Sequence, residues 1–335
     1  MRVTILGAGA VGGWLAAGLA RGGLPIGILA RGASLAALRD RGLTLLDGER
    51  REVFPVQATD DPAALAGADI LLLGLKGQDL PAALPLIQRL RGPETLVVPV
   101  QNGIPWWFFQ GFGGPAEGLV LPAIDPGGAL AAAIPPAHLL GGVAHVGAST
   151  PAPGTIRLMK QDRMLLGDPS GRHPAALAGL VAALRAGGVP AETVGDIRRE
   201  VWLKLWGNCT MNPLSALCRA DMQAMLEDAG VRGLVEAMMA EMAAIGDRIG
   251  LPLIGAPGTP GATAIAERIA VTRRLGAFRT SMLQDLEAGR ALELGPVLGG
   301  LVELAAHLGQ PAPALAGIHG LTRLLAAGLR TPGLA

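Results

Sequence analysis

Apolar residues along the chain follow two different periods, and the change from one to the other divides the sequence. Up to residue 194, apolar runs of strand length alternate with segments of helical period, as in the runs 2–6, 26–30, 69–75 and 95–100. From residue 195 onward the pattern is helical throughout. Such alternation is typical of a sheet flanked by helices, so we predict an α/β fold with an N-terminal Rossmann-type domain and an all-α C-terminal domain.

The same patterns predict the individual elements. In the first part we expect helices at 13–21, 34–41, 62–66, 80–90 and 174–186, strands between 43 and 58, and strands at 138–147, 154–159, 163–166 and 191–194. In the second part we expect helices at 201–217, 224–249, 297–308 and 314–327, a helix after a break at 257–261, and another beginning at 280, with Asp196 as the cap of the first. A chain of 335 residues exceeds one typical core, which favours two domains, 1–194 and 195–335.

Composition and charge narrow the classes of function. The net charge is only +1, which gives no reason to expect nucleic acid or an anionic membrane as a partner, so the expected partner is a small molecule. Cys209 and Cys218 would face opposite sides of one helix, so a disulfide between them is not expected. Without a secretory signal or a cysteine framework, a cytoplasmic location is expected. The histidines show no metal-ligand spacing, so no metal is predicted.

A glycine motif follows the first strand directly. Gly7-Ala8-Gly9-Ala10-Val11-Gly12 is a G-x-G-x-x-G sequence between a predicted strand and a predicted helix. In that context, glycines allow a tight turn and let backbone N–H groups approach a pyrophosphate at the helix N-terminus. The motif alone would be weak evidence, but the strand, motif and helix in this order predict a dinucleotide site, and a simple glycine-rich turn is the alternative.

Three polar residues follow the ends of later strands. Arg31 stands where a site for NAD usually carries an acidic residue. A guanidinium at this position favours the 2′-phosphate of NADPH. The alternative is an ordinary exposed arginine with no role in binding. Lys76 and Asn102 also follow predicted strands, and ligands bind at the carboxyl ends of strands in such sheets. For Asn102, the sequence Gln-Asn-Gly by itself favours a simple turn.

The helix 201–217 carries a polar stripe in apolar surroundings. Lys204, Asn208 and Asn212 are four residues apart, so they lie on one face over successive turns. A solvated stripe on an amphipathic helix is one interpretation. Because large apolar residues flank the stripe on nearly every side, we favour a buried polar face that needs partners. Lysine is also scarce in this chain, which has only Lys76, Lys160 and Lys204.

These motifs together resemble the 2-dehydropantoate 2-reductase (ketopantoate reductase) family over essentially the whole chain. The resemblance rests on GAGAVG, Arg31, GLKGQD around Lys76, VQNG around Asn102, KLWGNCTMNPLSAL, and SMLQDLEAGRALELG with Ser281 and Glu293. It implies an NADP-dependent oxidoreductase acting on CH–OH groups, which reduces 2-dehydropantoate to pantoate in pantothenate and coenzyme A biosynthesis.

The resemblance also implies roles for individual residues. The residues with implied roles toward NADPH are Gly7, Ala8, Gly9, Ala10, Val11 and Gly12 at the pyrophosphate, Arg31 and Lys76 at the adenosine phosphate end, Asn102 at the nicotinamide, and Ala148 as a looser backbone match. Lys204 would donate the proton and contact the substrate, and Glu293 would contact Lys204 or the cofactor ribose. The substrate would also be held by Asn102, Asn208 and Asn212, and its carboxylate would be bound by Ser281. The chemistry agrees, because an ammonium can stabilise the negative charge that develops on a reduced carbonyl and then supply the proton.

The chain departs from the family pattern on the substrate side. Met222 and Phe278 stand where asparagines are common, and Gly295 and Leu298 replace an acidic residue and an asparagine after Glu293. A pocket with fewer hydrogen-bonding groups would suit a more apolar acid. Three hypotheses therefore stay open: a 2-dehydropantoate reductase, a reductase of another 2-oxo acid, and an NADPH-binding protein without turnover. The apolar C-terminal helices also leave a homodimer open.

Overall fold

The chain forms two compact units, and each is described by itself. The structure, a computed structural model, describes residues 1–253 and 261–329. The first unit comprises Met1–Gln101 and Ala129–Glu200, and the second comprises Asn102–Gly128 and Val201–Ala335. The predicted boundary between 194 and 195 lies close to the crossing after Glu200. The prediction, however, left the segment Asn102–Gly128 in the first domain.

Contacts within the second unit explain the position of that segment. The backbone N–H of Ile104 donates to the carbonyl of Pro296 over 2.9 Å. The ring of Phe108 packs against Trp202, with 6.0 Å between the ring centroids. A sequence pattern cannot anticipate such contacts, because they join residues about 95 to 190 positions apart.

The first unit holds the strands of the chain that the structure describes. In chain order its elements are β1 (Val3–Leu6), α1 (Ala10–Arg21), β2 (Ile26–Leu29), α2 (Gly32–Arg41), β3 (Leu43–Asp47), β4 (Arg50–Phe54), β5 (Gln57–Thr59), β6 (Ile70–Leu73), α3 (Leu80–Leu90), β7 (Leu96–Pro99), α4 (Ala129–Ala133), β8 (Gly141–Ala152), β9 (Thr155–Gly167), α5 (Pro174–Ala186) and β10 (Ala191–Thr193). The segment Pro62–Leu65, predicted as a helix, is a 3₁₀ turn.

A parallel sheet in the order β5-β2-β1-β6-β7 carries the predicted nucleotide-binding end. Strands β1, β6 and β7 are buried along their whole length, as expected for a parallel sheet covered on both faces. Val3 lies in register with Ile26 on one side and with Ile70 on the other. The loops after β1, β2, β6 and β7 therefore leave the sheet at one edge, where ligands bind in such folds. This confirms the predicted Rossmann-type fold.

A second sheet in the first unit has the order β10-β9-β3-β4, with β8 antiparallel to β9. The sequence predicted two strands at 154–159 and 163–166, but the structure joins them in β9. The residues between them, 160–162, are exposed together with their neighbours 159 and 163, so this stretch lacks the alternation of a half-buried strand. Pairing with β8 keeps them extended, because Lys160 and Arg163 lie opposite Gly147 and His145.

The second unit is helical where the structure describes it. Its elements are α6 (Ile197–Cys218, which begins in the first unit), α7 (Met222–Glu227), α8 (Ala229–Arg248), α9 (Gly261–Arg273), α10 (Ser281–Glu287), a π-helical turn (Gly295–Gly299), α11 (Gly300–His307) and α12 (Pro313–Gly328). The predicted cap is confirmed, because the Asp196 carboxylate accepts the N–H of Arg199 over 3.0 Å. None of the described helices combines the length and apolar character needed to cross a membrane.

The prediction of one helix over 224–249 is wrong. The structure contains two helices, α7 and α8, which meet at Asp228. The Asp228 carboxylate accepts the N–H of Val231 over 2.8 Å and so caps the second helix. Apolar periodicity alone did not reveal this break, because apolar residues continue on both sides of it. The predicted break at 257–261 lies almost entirely outside the described residues.

Candidate functional site

The glycine motif occupies the turn between β1 and α1. Gly7 has a φ of +94°, and a Cβ at this position would lie 2.9 Å from the carbonyl carbon of Gly74. A Cβ at Gly12 would lie 2.1 Å from the carbonyl oxygen of Gly7. These two glycines are therefore needed by the turn itself, because any side chain would collide with backbone that cannot move away.

Gly9 has a different environment. A Cβ at Gly9 would meet nothing within 4 Å, and its φ of −74° is open to any residue. No contact among the described residues requires a glycine here, whereas a ligand that approaches the backbone would. Gly9 precedes Ala10 and Val11 at the N-terminus of α1, which no side chain from the described residues caps. The turn therefore fits a pyrophosphate, which would accept hydrogen bonds from the free backbone N–H groups.

Arg31 and Lys76 follow two strands of the same sheet, β2 and β6. Arg31 follows β2, is exposed and precedes the first residue of α2. Lys76 lies after β6, is partly buried and precedes a 3₁₀ turn at Gly77–Asp79. Since β2 and β6 flank β1, both cations lie at the edge that carries the glycine turn. Ala148 lies in β8 of the other sheet, paired with Leu158.

Sequence reasoning missed two glutamines at this edge. Gln78 follows β6 and Gln101 follows β7, and both ends of each side-chain amide are buried without a hydrogen-bond partner among the described residues. Buried amides without partners are costly, so they are candidates for contacts with a ligand. Their positions after strand ends, inside the motifs GLKGQD and VQNG, were the available signal in the sequence.

In the second unit, the structure brings together Lys204, Asn102 and Glu293. Lys204 is partly buried on α6, and its Nζ donates to Oδ1 of Asn102 over 2.9 Å. Nδ2 of Asn102 donates to Oε2 of Glu293 over 3.1 Å. The ammonium can only donate and the carboxylate can only accept, so only one orientation of the amide satisfies both neighbours. The amide therefore links the cation to the anion.

The backbone around Asn102 and Glu293 explains why they meet. Gly103 has a φ of +83°, and a Cβ there would lie 2.3 Å from the carbonyl oxygen of Pro296. This close approach, together with the hydrogen bond from Ile104, holds residues 102–104 against the π-helical turn that follows Glu293. π-helical turns are rare and are frequent at functional sites. Glycine at position 103 is thus a condition for the contact between Asn102 and Glu293.

Two opposing effects act on the Lys204 ammonium. Burial disfavours its charged form, and the charge of Glu293 favours it. Burial is the larger effect and lowers the pKa of Lys204 to about 8. A lysine with this pKa is still mostly protonated at neutral pH, yet it gives up its proton far more easily than an exposed lysine.

The remaining predicted residues lie on α6 and at the start of α10. Asn208 is partly buried one turn beyond Lys204, and Asn212 is only 6% exposed. Helical spacing places both on the face of Lys204. Ser281 is the exposed first residue of α10, after Thr280, whose hydroxyl caps that helix.

The four departures from the family pattern have different surroundings. The N–H of Met222 donates to the carbonyl of Phe278 over 3.0 Å, so these two lie together, and Phe278 is 44% exposed. Gly295 and Leu298 are explained by packing. A Cβ at Gly295 would lie 2.2 Å from the carbonyl oxygen of Ala123, and Leu298 is fully buried.

Arg268 on α9 was not predicted. Its Nη2 lies 2.7 Å from where a Cβ of Gly207 would stand, and Gly207 is one residue before Asn208 on α6. Its Nε is buried without a hydrogen-bond partner among the described residues. The available signal was Gly207, a helix-destabilising residue inside a helix.

Comparison with known proteins gives consistent matches along the chain. Residues 3–106 match a family described as ketopantoate reductase PanE/ApbA, and residues 196–326 match its C-terminal part. The 2-dehydropantoate 2-reductase of Mesorhizobium japonicum is 40% identical over 328 residues, which cover 97% of this chain and 98% of that protein.

Solved structures show the same fold. A crystal structure described as a candidate ketopantoate reductase from Ralstonia solanacearum is 42% identical, with a TM-score of 0.90 over 98% of both chains. A structure of D-mandelate dehydrogenase with NADH and anilino(oxo)acetate is 19% identical, with a TM-score of 0.82 over 99% of this chain and 100% of that one. At that identity the second likeness concerns the fold alone.

We expect Glu293→Gln to lower the pKa of Lys204 below its value of about 8, because the mutation removes the charge that opposes the effect of burial. The measurement is an NMR titration of protein carrying ¹³C at the lysine Cε. With only three lysines in the chain, the Lys204 signal can be assigned from a Lys204→Arg variant. Glu287→Gln, at an exposed carboxylate, is the control and should leave the midpoint unchanged. An unchanged midpoint in Glu293→Gln would contradict the assigned cause.

Proposed function

The chain belongs to the ketopantoate reductase family, and from this premise we propose that it reduces 2-dehydropantoate to pantoate with NADPH, using Lys204 as the proton donor. The step would belong to pantothenate and coenzyme A biosynthesis. The observation that supports the proposal is the contact of Lys204 with Asn102 and, through it, Glu293. A partly buried ammonium with a lowered pKa is suited to give a proton to a reduced carbonyl.

The chemistry requires a hydride and a proton. When bound, a nicotinamide cofactor supplies the hydride to the carbonyl carbon of the substrate. Negative charge then develops on the carbonyl oxygen, and the Lys204 ammonium stabilises it and transfers a proton to that oxygen. Glu293 keeps Lys204 protonated near neutral pH, because its charge opposes the effect of burial.

The other residues of the second unit would orient the acid. Asn208 and Asn212 follow Lys204 on one face of α6, and their amides can both donate to and accept from a hydroxylated acid. The hydroxyl of Ser281 would donate a hydrogen bond to the carboxylate of the substrate. Asn102 would fix the direction of the Lys204 side chain, since its amide oxygen accepts from Nζ.

The cofactor would be held by residues of the first unit. Gly7 to Gly12 would bind the pyrophosphate, with Gly9 leaving the space that the phosphates need. Arg31 and Lys76 would bind the adenosine end, and the exposed guanidinium of Arg31 suits the 2′-phosphate of NADPH. Ala148 would contribute a backbone contact toward the nicotinamide.

A second candidate is reduction of a different 2-oxo acid. The observation that favours it is the pair Met222 and Phe278, which lie together and replace asparagines with apolar side chains. Such a change weakens discrimination in favour of a hydroxylated substrate, because fewer groups are left to pair with its hydroxyl. Hydride and proton transfer would be the same.

A homodimer is also part of this proposal. Helix α12 exposes Leu321 and Leu324, which are 56% and 73% accessible. Large exposed leucines on one helix are typical of an interface. Sedimentation equilibrium would test the dimer, and a monomer at micromolar concentration would exclude it.

We expect purified protein to consume NADPH with 2-dehydropantoate faster than with other 2-oxo acids at the same concentration. The panel should include acids without a hydroxyl, since these are the substrates of the second candidate. If another acid has the higher kcat/KM, the second candidate replaces the first. Tight NADPH binding without oxidation by any carbonyl would indicate a binding protein without turnover.

We expect Lys204→Ala to reduce turnover by about 10²–10⁴-fold, the usual contribution of general acid catalysis, while NADPH binding is retained. The matched control is Lys160→Ala, at an exposed position in β9. In the parent enzyme, kcat/KM should fall as pH rises through about 8, because the protonated amine is the active form and kcat/KM reports the pKa of the free enzyme. Turnover of Lys204→Ala equal to that of the parent would remove Lys204 from the mechanism.

We expect Arg31→Ala to raise the KM for NADPH by about 10–100-fold, since hydrogen bonds to charged groups contribute about 1.5–3 kcal/mol. The KM for NADH should change little, because NADH lacks the 2′-phosphate. Arg41→Ala, at the exposed end of the same helix, is the control. Equal changes for both cofactors would show that Arg31 does not recognise the phosphate.

A further inference from the structure

The guanidinium of Arg268 lies against α6 at Gly207, one turn from the proposed proton donor Lys204 along the helix. Its Nη2 lies 2.7 Å from the position that a Cβ of Gly207 would occupy. Gly207 is three residues from Lys204 and one from Asn208, and residues three apart on a helix are neighbours on its surface. The space above Gly207, next to the polar stripe, is thus filled by a cation from α9.

This cation lacks a counterion within the chain that the structure describes. Arg268 forms no ion pair there, and its buried Nε has no acceptor. The nearby thiol of Cys209 supplies no negative charge, because burial raises the pKa of Cys209. A partly buried charge without a partner is unfavourable, so an acceptor supplied by a ligand would relieve a cost that the free protein bears.

A glycine inside a helix also has a cost. Glycine is about 1 kcal/mol less favourable than alanine in a helix interior, and Gly207 lies in the middle of α6. The turn of the helix does not require it, and the close approach of Arg268 gives a physical reason for it. Gly207 and Arg268 therefore act as a pair, in which one residue makes room for the other.

We infer that Arg268 is a carboxylate-binding residue that anchors the acid substrate beside Lys204. The planar guanidinium matches a carboxylate in a two-point contact, which neither the asparagines of α6 nor Ser281 can provide. The inference rests on the proposed function, because it assumes a 2-oxo acid next to Lys204. A carboxylate-binding Arg268 would also explain how the site recognises an acid although Met222 and Phe278 are apolar.

The test compares wild type with Arg268→Met, which keeps the length of the side chain and removes the charge. The KM for 2-dehydropantoate should rise about 10–100-fold, the range expected for losing hydrogen bonds to a charged group, with kcat reduced far less. Arg268→Lys should recover part of the lost substrate affinity, because lysine restores the positive charge but not the planar guanidinium that contacts a carboxylate at two points. Arg274→Met, an exposed arginine just beyond α9, is the matched control and should stay within twofold of wild type.

Gly207→Ala provides an independent variant that leaves Arg268 in the chain. Its Cβ would force Nη2 to move, so the KM should rise severalfold, while alanine favours the helix and protects the fold. In the Arg268→Met background the same mutation should have no further effect, because the two residues form one interaction. Additive effects of the two mutations would contradict the pairing.

Binding measurements separate this inference from the proposed function. Calorimetry with pantoate and its uncharged lactone, on protein saturated with NADP⁺, should show weaker pantoate binding in Arg268→Met and unchanged lactone binding. Equal pantoate affinity in both proteins would overturn the carboxylate role of Arg268. Wild type that binds NADPH and reduces no 2-oxo acid would overturn the proposed function instead, and pantoate calorimetry would still decide the role of Arg268.

Discussion

A partly buried ammonium on an apolar helix requires hydrogen-bond acceptors, and in the second unit these come from residues outside that helix. Lys204 meets this requirement through Asn102, whose amide in turn binds Glu293. The three residues come from distant parts of the chain, so the loop after β7 and the turn before α11 must both reach α6. Gly103 allows this approach, because its backbone passes the carbonyl of Pro296 at a distance that excludes any side chain.

The same contact sets the acidity of the site. Burial disfavours the charged form of Lys204, and the charge of Glu293 favours it. Asn102 binds both side chains, and the charge of Glu293 only partly offsets the effect of burial. The resulting pKa of about 8 leaves the amine protonated near neutral pH and close to the range in which proton transfer is easy. Arginine could not replace it, since its pKa is too high for proton transfer.

The substrate side combines loss and gain of polar groups. Met222 and Phe278 lie together and are apolar, whereas Gly295 and Leu298 are accounted for by packing within the second unit. Arg268 adds a cation beside α6 that the family motifs do not include. With the proposed role of Arg268, such a site would favour a ligand with an acidic group and would leave its other substituents less strictly defined.

The sequence alone determined the fold class, the glycine turn and the polar stripe on α6. These features depend on local order, as in the strand before Gly7 and the four-residue spacing of Lys204, Asn208 and Asn212, and local order is visible in a sequence. Tertiary structure decided the rest. The membership of Asn102–Gly128 in the second unit, the link from Lys204 through Asn102 to Glu293, and the position of Arg268 over Gly207 join residues that are far apart in the chain. Such contacts form only when helices pack, because packing brings distant side chains within hydrogen-bonding reach, and no periodicity in the sequence records them.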